Sequence, residues 1–472
     1  MPLPQADHSG YLSTATISAL VSGVGGAVSI VRVSGQECLS VLKGIVGETA
    51  AQNMAGNPRL THLCKLRTRD DLVFDEALAV YFRAPNSFSG EDVVEFFIHS
   101  SPYILRTLFG ELKKYGVRTA LPGEFSFRAV RNGKMTLSQA SAVADLIGAE
   151  TRTAAELALE KLSGSQNRLV ESLGTKLREL AVLSEVGIDF SDQDVDEVSL
   201  PNLKRRLRSV QEALTKLRES FVRGGRIQEG VSVALLGLPN AGKSSVFNAL
   251  LGEDRSIVSD IPGTTRDIVR EKVTLESEGF SVVFRVSDTA GVRDTQDAVE
   301  KLGVQLSLRA AKQADLILWV VDGHRDEPQA IRDMENQWLA LDEPKARSLG
   351  VITKCDLAEP NEAVLDFFAK RMPVQTCSAI TGDGIHELAR AMVKSASHWV
   401  ARDTGEVVLT REEDLRCVEE AIGHVERALD AHEEDLFAAD LNQALRSLSG
   451  LMGSTLPDDI LGAIFAGFCI GK

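Results

Sequence analysis

The spacing of hydrophobic residues divides the chain into segments with different predicted secondary structure. In the first 125 residues, short β-branched and apolar runs at 14–20, 28–33 and 76–82 alternate with turns rich in Pro, Asn, Ser and Gly. Runs of this length with such boundaries are typical of β-strands. We therefore expect an α+β domain over residues 1–125.

Helical patterns follow from Pro122-Gly123 onward. The stretch 136–163 is rich in Ala, Leu and Glu, and a leucine stripe runs from Leu169 to Leu180 at helical spacing. A second stripe predicts a further helix through Leu203, Leu207, Val210, Leu214, Leu217 and Phe221. Residues 415–429 and 436–451 are also amphipathic, and Pro457 starts a last short helix. Packing between helices explains these stripes better than a cofactor site does.

Glycines at 224, 225 and 230 mark a boundary, beyond which residues 231–395 alternate strand and helix patterns. This alternation is typical of a doubly wound α/β domain. Each helical segment on either side could bury only a small hydrophobic core by itself. We therefore expect one all-α domain interrupted by an inserted α/β domain. The predicted segments are 1–125, 126–226 for the first helical part, 227–395 for the insertion and 396–472 for the second helical part.

Composition excludes some classes of protein. The 472 residues are 44% hydrophobic and 25% charged, which is typical of a soluble globular chain. Six scattered cysteines indicate neither a disulfide framework nor a zinc site, and no apolar run is long enough for a bilayer span. A net charge of −15 disfavours indiscriminate binding to polyanions. The basic stretch 204–226 is explained better as a solvated helix face than as a nucleic-acid surface.

A phosphate-binding loop follows the apolar run 231–236, which is a predicted strand. Glycines allow the backbone to curl so that N–H groups point at phosphate oxygens, a lysine adds positive charge, and a serine hydroxyl can bind Mg²⁺. A turn that only joins strand to helix is the weaker alternative for a complete motif in this position. The residues predicted to bind nucleotide here are Asn240, Ala241, Gly242, Lys243, Ser244 and Ser245.

Three further nucleotide motifs follow in order. A threonine-containing loop can complete Mg²⁺ coordination, an Asp-Thr-Ala-Gly segment can order the metal and meet the γ-phosphate, and a Thr-Lys-Cys-Asp turn presents a carboxylate to a guanine edge. Four such motifs in order predict a P-loop GTPase, a GTP hydrolase. The added binding residues are Ser259, Thr264, Thr265, Asp288, Thr289, Ala290, Gly291, Thr353, Lys354, Asp356, Ser378 and Ala379.

Other segments carry a resemblance to a known family. They are SIVRVSG at 29–35, PNSFSGED at 85–92 continuing to Glu95, PGEFS at 122–126 leading to Lys134, and FCIGK at 468–472. Together with the inserted GTPase domain, they resemble the tRNA modification GTPase family MnmE, also called TrmE, over the whole chain.

The resemblance implies a cytoplasmic homodimer that acts with the FAD protein MnmG, in a heterotetramer, on carbon 5 of the wobble uridine of certain tRNAs. It also implies that the N-terminal domain dimerises and binds a formyl- or methylene-tetrahydrofolate. The positions matching the folate contacts are Arg32, Glu95, Lys134 and Lys472. Arginine and lysine can pair with folate carboxylates, and a carboxylate can accept from a pterin. Taken singly, without the resemblance, each would be explained better as a member of a surface ion pair.

In the family, K⁺ activates hydrolysis as nucleotide domains dimerise. The resemblance assigns K⁺ to Asn240, Ser259, Ile261 and Thr264, and Mg²⁺ to Ser244 and Thr265. It also assigns the orientation of water to Glu300, with Arg293 as a helper, and a role in the modification chemistry to Cys469. Without the resemblance, a glutamate at a helix start would more often be a solvated residue. A lone cysteine would more often be a packed one.

Some positions depart from the family pattern. Thr353 stands where asparagine is usual, so an amide tie between the guanine turn and the phosphate loop is expected to be missing, at a cost of about 1 kcal/mol in affinity. The stretches 22–26 and 98–101 also differ, both in the proposed folate domain. An alternative function is a GTP-dependent switch that docks on RNA or ribosomes without modification chemistry.

Overall fold

The computed structural model describes residues 8–23, 25–189, 199–253, 270–287, 308–324, 328–341, 347–403, 405–451 and 465. It separates into two compact units. One comprises Met1–Ile147, Lys161–Val210 and Glu420–Lys472, and the other comprises Gly148–Glu160 and Gln211–Glu419. Among the residues so described, none of the helices combines the length and hydropathy that a membrane span requires.

A six-stranded sheet forms the centre of the N-terminal part of the first unit. Its order is β3-β4-β5-β2-β1-β6, antiparallel except for the pairing of β1 with β6. The predicted α+β class is confirmed, with the predicted strands shifted by one to three residues at their ends. The strands are β1 Ile17–Leu20, β2 Val28–Ser34, β3 Thr61–Arg67, β4 Val73–Phe82, β5 Val93–His99 and β6 Arg118–Thr119.

Side chains alternate across this sheet because successive residues of a strand point to opposite faces. One face contributes residues such as Val31 and Phe96 to a core shared with three helices. Arg32 and Glu95 lie on the other face and are direct cross-strand partners. The core helices are Cys38–Val46, Glu48–Gly56 and Pro102–Lys114.

Helices dominate the rest of the first unit. The predicted leucine stripe lies in helix Ser165–Asp189, where Leu173, Leu177 and Leu180 are buried and the helix packs along Glu434–Leu451. Two shorter helices, Glu124–Arg131 and Leu137–Ile147, follow the sheet. Helix Glu412–Asp430 precedes Glu434–Leu451, so both late amphipathic predictions are confirmed. The helix predicted from Pro457 lies outside the described residues.

The stretch 136–163 is helical as predicted, and the chain forms two helices there, Leu137–Ile147 and Arg152–Leu162. Gly148 follows the first helix directly. The hydroxyl of Thr151 then accepts a hydrogen bond from the Ala154 N–H at 3.2 Å, which caps the second helix. A new N-terminal cap inside an Ala- and Leu-rich stretch therefore divides it.

The second unit contains a sheet of order β12-β11-β10-β7-β9-β8. All neighbours are parallel except the β8–β9 hairpin, and buried residues line both faces, so this is the expected doubly wound α/β fold. Its helices are Lys243–Glu253, Pro328–Ala340, Glu362–Ala369 and Ile385–Val400. Its strands are β7 Val231–Leu236, β8 Arg270–Ser277, β9 Phe280–Ser287, β10 Leu316–Asp322, β11 Arg347–Thr353 and β12 Val374–Thr376.

The change from helix to strand falls at the third of the three predicted boundary glycines, Gly230, and not at Gly224 and Gly225. Helix Leu200–Glu229 continues through both glycines, and the chain turns only at Gly230, whose φ is 99°. Gly224 instead permits close packing, because a Cβ there would lie 1.9 Å from the Leu409 carbonyl oxygen. The Leu409 N–H donates to the buried Ser220 hydroxyl at 3.1 Å on the same helix.

This packing gives a test with a matched pair of glycines. We expect Gly224→Ala to lower the free energy of unfolding by about 2 kcal/mol, because the new methyl group would collide with backbone. Gly225→Ala should instead raise it by about 0.5–1 kcal/mol, since nothing beyond the adjacent helix backbone lies within 4 Å of its Cβ position and alanine favours helix. Urea denaturation followed by circular dichroism measures both. A shift of the same sign for the two variants would contradict the role given to Gly224.

Candidate nucleotide-binding site

The phosphate loop spans residues 237–242, between the end of β7 and the start of helix Lys243–Glu253. Gly237 has φ 150°, and a Cβ there would lie 2.0 Å from the carbonyl oxygen of Val320. Asn240 and Gly242 are also left-handed, with φ of 61° and 91°. Asparagine tolerates this region better than most residues, so the local sequence suits the curl of the loop.

Lys243 supplies positive charge to this curl. Its Nζ donates to the carbonyl oxygens of Gly237 and Leu238, each at 2.9 Å. The residues after it, Ser244 and Ser245, are exposed in the first turn of the helix, where unpaired N–H groups favour anions. Loop, lysine and helix start therefore form an arrangement suited to phosphate.

Thr353 joins the predicted guanine turn to the phosphate loop. It is the last residue of β11 and only 2% exposed, and its hydroxyl lies 2.8 Å from the Ala241 carbonyl oxygen and 3.1 Å from that of Val321. The tie that was expected to be lost with the asparagine is therefore present. A short hydroxyl suffices because the two segments approach closely, with a Gly242 Cβ position only 3.3 Å from the Thr353 oxygen.

The remaining residues of the predicted guanine turn follow β11 directly. Lys354 has a left-handed backbone with φ 63°, and its ammonium contacts the Asp322 carboxylate at 2.6 Å. Asp356 is exposed two residues later. The turn also contacts the segment after β12, since the Cys355 N–H donates to the Cys377 carbonyl at 3.4 Å.

The Ser378-Ala379 segment forms the second loop of the predicted base site. The buried Ser378 hydroxyl accepts from the N–H groups of Ile380 at 3.3 Å and Thr381 at 3.2 Å, which closes the loop on itself. Burial raises the pKa of the preceding Cys377 to about 12, so its thiol stays protonated and acts as a packing group.

Several predicted site residues lie outside the described residues, and their assignments stay predictions. They are Ser259, Ile261, Thr264, Thr265, Asp288, Thr289, Ala290, Gly291, Arg293, Glu300, Cys469 and Lys472.

Arg32 and Glu95, two of the predicted folate contacts, meet each other in the first unit. Arg32 Nε donates to Glu95 Oε1 at 2.7 Å, and the two side chains are 18% and 15% exposed. The guanidinium also lies over the rings of Phe88 and Phe125, 4.9 and 5.5 Å from their centroids. Lys134 is exposed. The result is a partly buried charged pair beside aromatic rings rather than a surface ion pair.

A buried polar network beside this pair was not predicted from the sequence. Arg128 donates to the Glu91 carboxylate at 2.9 Å and to that of Glu124 at 2.9 Å, and Arg118 binds Glu124 through two nitrogens at 2.6 and 2.7 Å. Arg128 and Glu124 are almost fully buried. Glu124 within the PGEFS segment and Arg128 just after it are the sequence features from which this network could have been inferred.

A sheet that is parallel except for the β8–β9 hairpin, with a lysine-bearing phosphate loop after β7 and a Thr-Lys-Cys-Asp turn after β11, defines a P-loop GTPase. Comparison with known families specifies the class further. A model described as the GTP-binding protein TrmE N-terminus matches residues 16–134, and one described as the MnmE helical domain matches residues 137–469. The chain belongs to the MnmE family.

Two individual relatives agree with this assignment. The tRNA modification GTPase MnmE of Azoarcus sp. strain BH72 is 38% identical over 462 residues, covering 97% of this chain and 98% of the relative. The protein of the same name from Chromobacterium violaceum is 36% identical over 460 residues, with 97% and 98% covered. The G domain of the T. maritima FeoB iron transporter aligns at 26% identity, covering 35% of this chain and 98% of its own, with a TM-score of 0.25.

The hydroxyl of Thr353 gives a test of the link between the two halves of the site. We expect Thr353→Val to weaken GDP binding about fivefold, because the Ala241 carbonyl loses its buried donor at a cost of about 1 kcal/mol. Thr353→Ser, which keeps the hydroxyl, should bind within about twofold of the wild type. Titration with a fluorescent GDP analogue measures both. Equal affinities for the valine and serine variants would show that the hydrogen bond is unimportant.

Proposed function

We propose that this chain is the GTP-hydrolysing component of a complex that modifies carbon 5 of the wobble uridine of certain tRNAs, together with the FAD protein MnmG. The GTPase part of this proposal rests on the hydrogen bond from the Thr353 hydroxyl to the Ala241 carbonyl oxygen, 2.8 Å long, which joins the phosphate loop to the predicted guanine turn. The tRNA half is supported by relatives of nearly full-length coverage that are named tRNA modification GTPases.

GTP and Mg²⁺ are the proposed ligands of the α/β unit. Ser244 suits Mg²⁺ because its hydroxyl is exposed at the helix start beside the loop, and Thr265 is the proposed second protein ligand. The metal would neutralise phosphate charge. Glu300 is proposed to orient the attacking water.

K⁺ is proposed to activate hydrolysis as two nucleotide domains dimerise. Asn240 is exposed on the phosphate loop, and its side-chain oxygen is a suitable ligand for a monovalent cation. The other proposed K⁺ ligands are Ser259, Ile261 and Thr264. A cation there would stabilise developing phosphate charge as an arginine finger does in other GTPases.

The N-terminal sheet is the proposed site for a formyl- or methylene-tetrahydrofolate and for homodimerisation. Arg32 and Glu95 fit such a ligand, because a cation and a carboxylate are paired beside the Phe88 and Phe125 rings, on the opposite face of the sheet from the core helices. Lys134 and Lys472 are the proposed partners for carboxylates of the folate.

We further propose the domain division 1–125, 126–226, 227–395 and 396–472, with both helical parts forming one domain, and a cytoplasmic location. The division is supported by the two sheets, since strands β1 to β6 fall within the first segment and strands β7 to β12 within the third.

Potassium dependence tests the proposed activation. GTP hydrolysis should be slow in sodium and much faster in potassium, and Asn240→Ala should abolish this preference while GDP affinity changes far less. Because Asn240 is left-handed, Asn240→Gly serves as a second variant that removes the side chain without straining the backbone. Equal rates of the wild type in the two salts would overturn the cation mechanism.

Modification in the cell tests the tRNA function and the role of Cys469. Mass analysis should find modified wobble uridine missing from a deletion strain and restored by the wild-type chain. Cys469→Ser should fail to restore it while retaining potassium-stimulated GTP hydrolysis, because the residue is assigned to the modification chemistry. A deletion strain with normal wobble uridine would favour the docking switch, and full restoration by Cys469→Ser would leave the thiol a packing residue.

A further inference from the structure

The turn after β10 contacts the guanine turn through a carboxylate that bridges two donors. Asp322 Oδ2 accepts from Lys354 Nζ at 2.6 Å, and Asp322 Oδ1 accepts from the His324 backbone N–H at 3.1 Å. Burial opposes ionisation of Asp322, but these donors outweigh it and hold its pKa below the usual range. The carboxylate is therefore charged at neutral pH and fixes the end of the lysine side chain.

The same turn also holds the backbone of the guanine turn. A left-handed conformation costs a residue with a side chain about 1–2 kcal/mol, so the φ of 63° at Lys354 must be supported by its neighbours. His324 Nε2 donates to the Lys354 carbonyl oxygen at 2.7 Å, and the Gly323 N–H donates to the Thr353 carbonyl at 3.1 Å. Lys354 is thus held at its ammonium by Asp322 and at its carbonyl by His324.

We propose that Asp322 and His324 are positioning residues for recognition of guanine. They hold the stem of Lys354 extended across the base site and set the direction in which the chain leaves Lys354, and with it the place of the Asp356 carboxylate. This inference rests on the proposed function, in which the Thr353–Asp356 turn binds the base.

A purely structural ion pair is the competing explanation, and its energetic signature differs. The side chains of Asp322 and Lys354 are 19% and 37% exposed, and a pair this accessible to solvent contributes little to folding. Its removal should therefore change nucleotide selectivity more than stability. Asp356 reads two guanine donors, N1–H and the 2-amino group, and hypoxanthine lacks the second. The ratio of GDP to IDP affinity therefore reports the position of Asp356.

The first variant is Asp322→Ala in the full-length chain, with affinities for GDP, IDP and inorganic pyrophosphate measured by competition against a fluorescent GDP analogue. The wild type should prefer GDP over IDP at least about tenfold, as a site built to bind an amino group does. In the variant, GDP affinity should fall about tenfold and IDP affinity much less. Pyrophosphate, which contacts only the phosphate loop, should bind as in the wild type.

A second pair of variants tests the hydrogen bond from His324 to the Lys354 carbonyl. His324→Ala should lower the preference for GDP, whereas His324→Gln should restore it, because the amide nitrogen of glutamine can donate from the position of Nε2. Asp366→Asn is the matched control. Asp366 pairs with Lys370 on helix Glu362–Ala369 and its C-terminal cap, and its loss should leave all three affinities unchanged.

Each outcome decides between the explanations. A fall in GDP preference with unchanged pyrophosphate binding, together with rescue by glutamine, supports the positioning role. A parallel loss for GDP, IDP and pyrophosphate would reveal a general structural defect and overturn it, as would unchanged affinities in Asp322→Ala and His324→Ala. If the wild type itself did not distinguish GDP from IDP, the guanine assignment would fail, and the positioning role with it.

Discussion

The end of β10 is the common support of both halves of the nucleotide site. The Val320 carbonyl oxygen lies only 2.0 Å from the Cβ position of Gly237, so the phosphate loop can pass over this strand only with glycine there. The next carbonyl, of Val321, lies 3.1 Å from the Thr353 hydroxyl, and Asp322 then binds Lys354. Three successive residues of one central strand thus set the spacing between the phosphate loop and the guanine turn.

Most of the fold could be predicted where local sequence determines local structure. The apolar run 231–236 became β7 with the same bounds, because a central parallel strand is buried on both faces and therefore uniformly apolar. The glycines at 224 and 225 were misleading for the opposite reason. The need for glycine at 224 comes from Leu409, a residue far along the chain, and nothing in the surrounding helix pattern records that contact.

The same distinction between local sequence and long-range contacts applies within the site. Residues of the phosphate loop and guanine turn could be found because each motif is contiguous, and backbone N–H groups and a carboxylate need only a few residues to surround a ligand. Asp322 and His324 could not be found in this way, since their contacts depend on which strands are neighbours in the sheet. Once β10 is known to pair with β11, the acidic residue at its end becomes the natural partner for the lysine after β11.

Thr353 shows how such neighbours change the meaning of a motif. Judged by its own turn, a threonine in place of asparagine removes an amide and weakens the site. Judged by the packing, the hydroxyl reaches the Ala241 carbonyl because Gly242 leaves room for the strand end to approach. A short donor is sufficient across this short gap. The residue at 353 and the absence of a side chain at 242 therefore form one unit, and a change at either position should be interpreted together with the other.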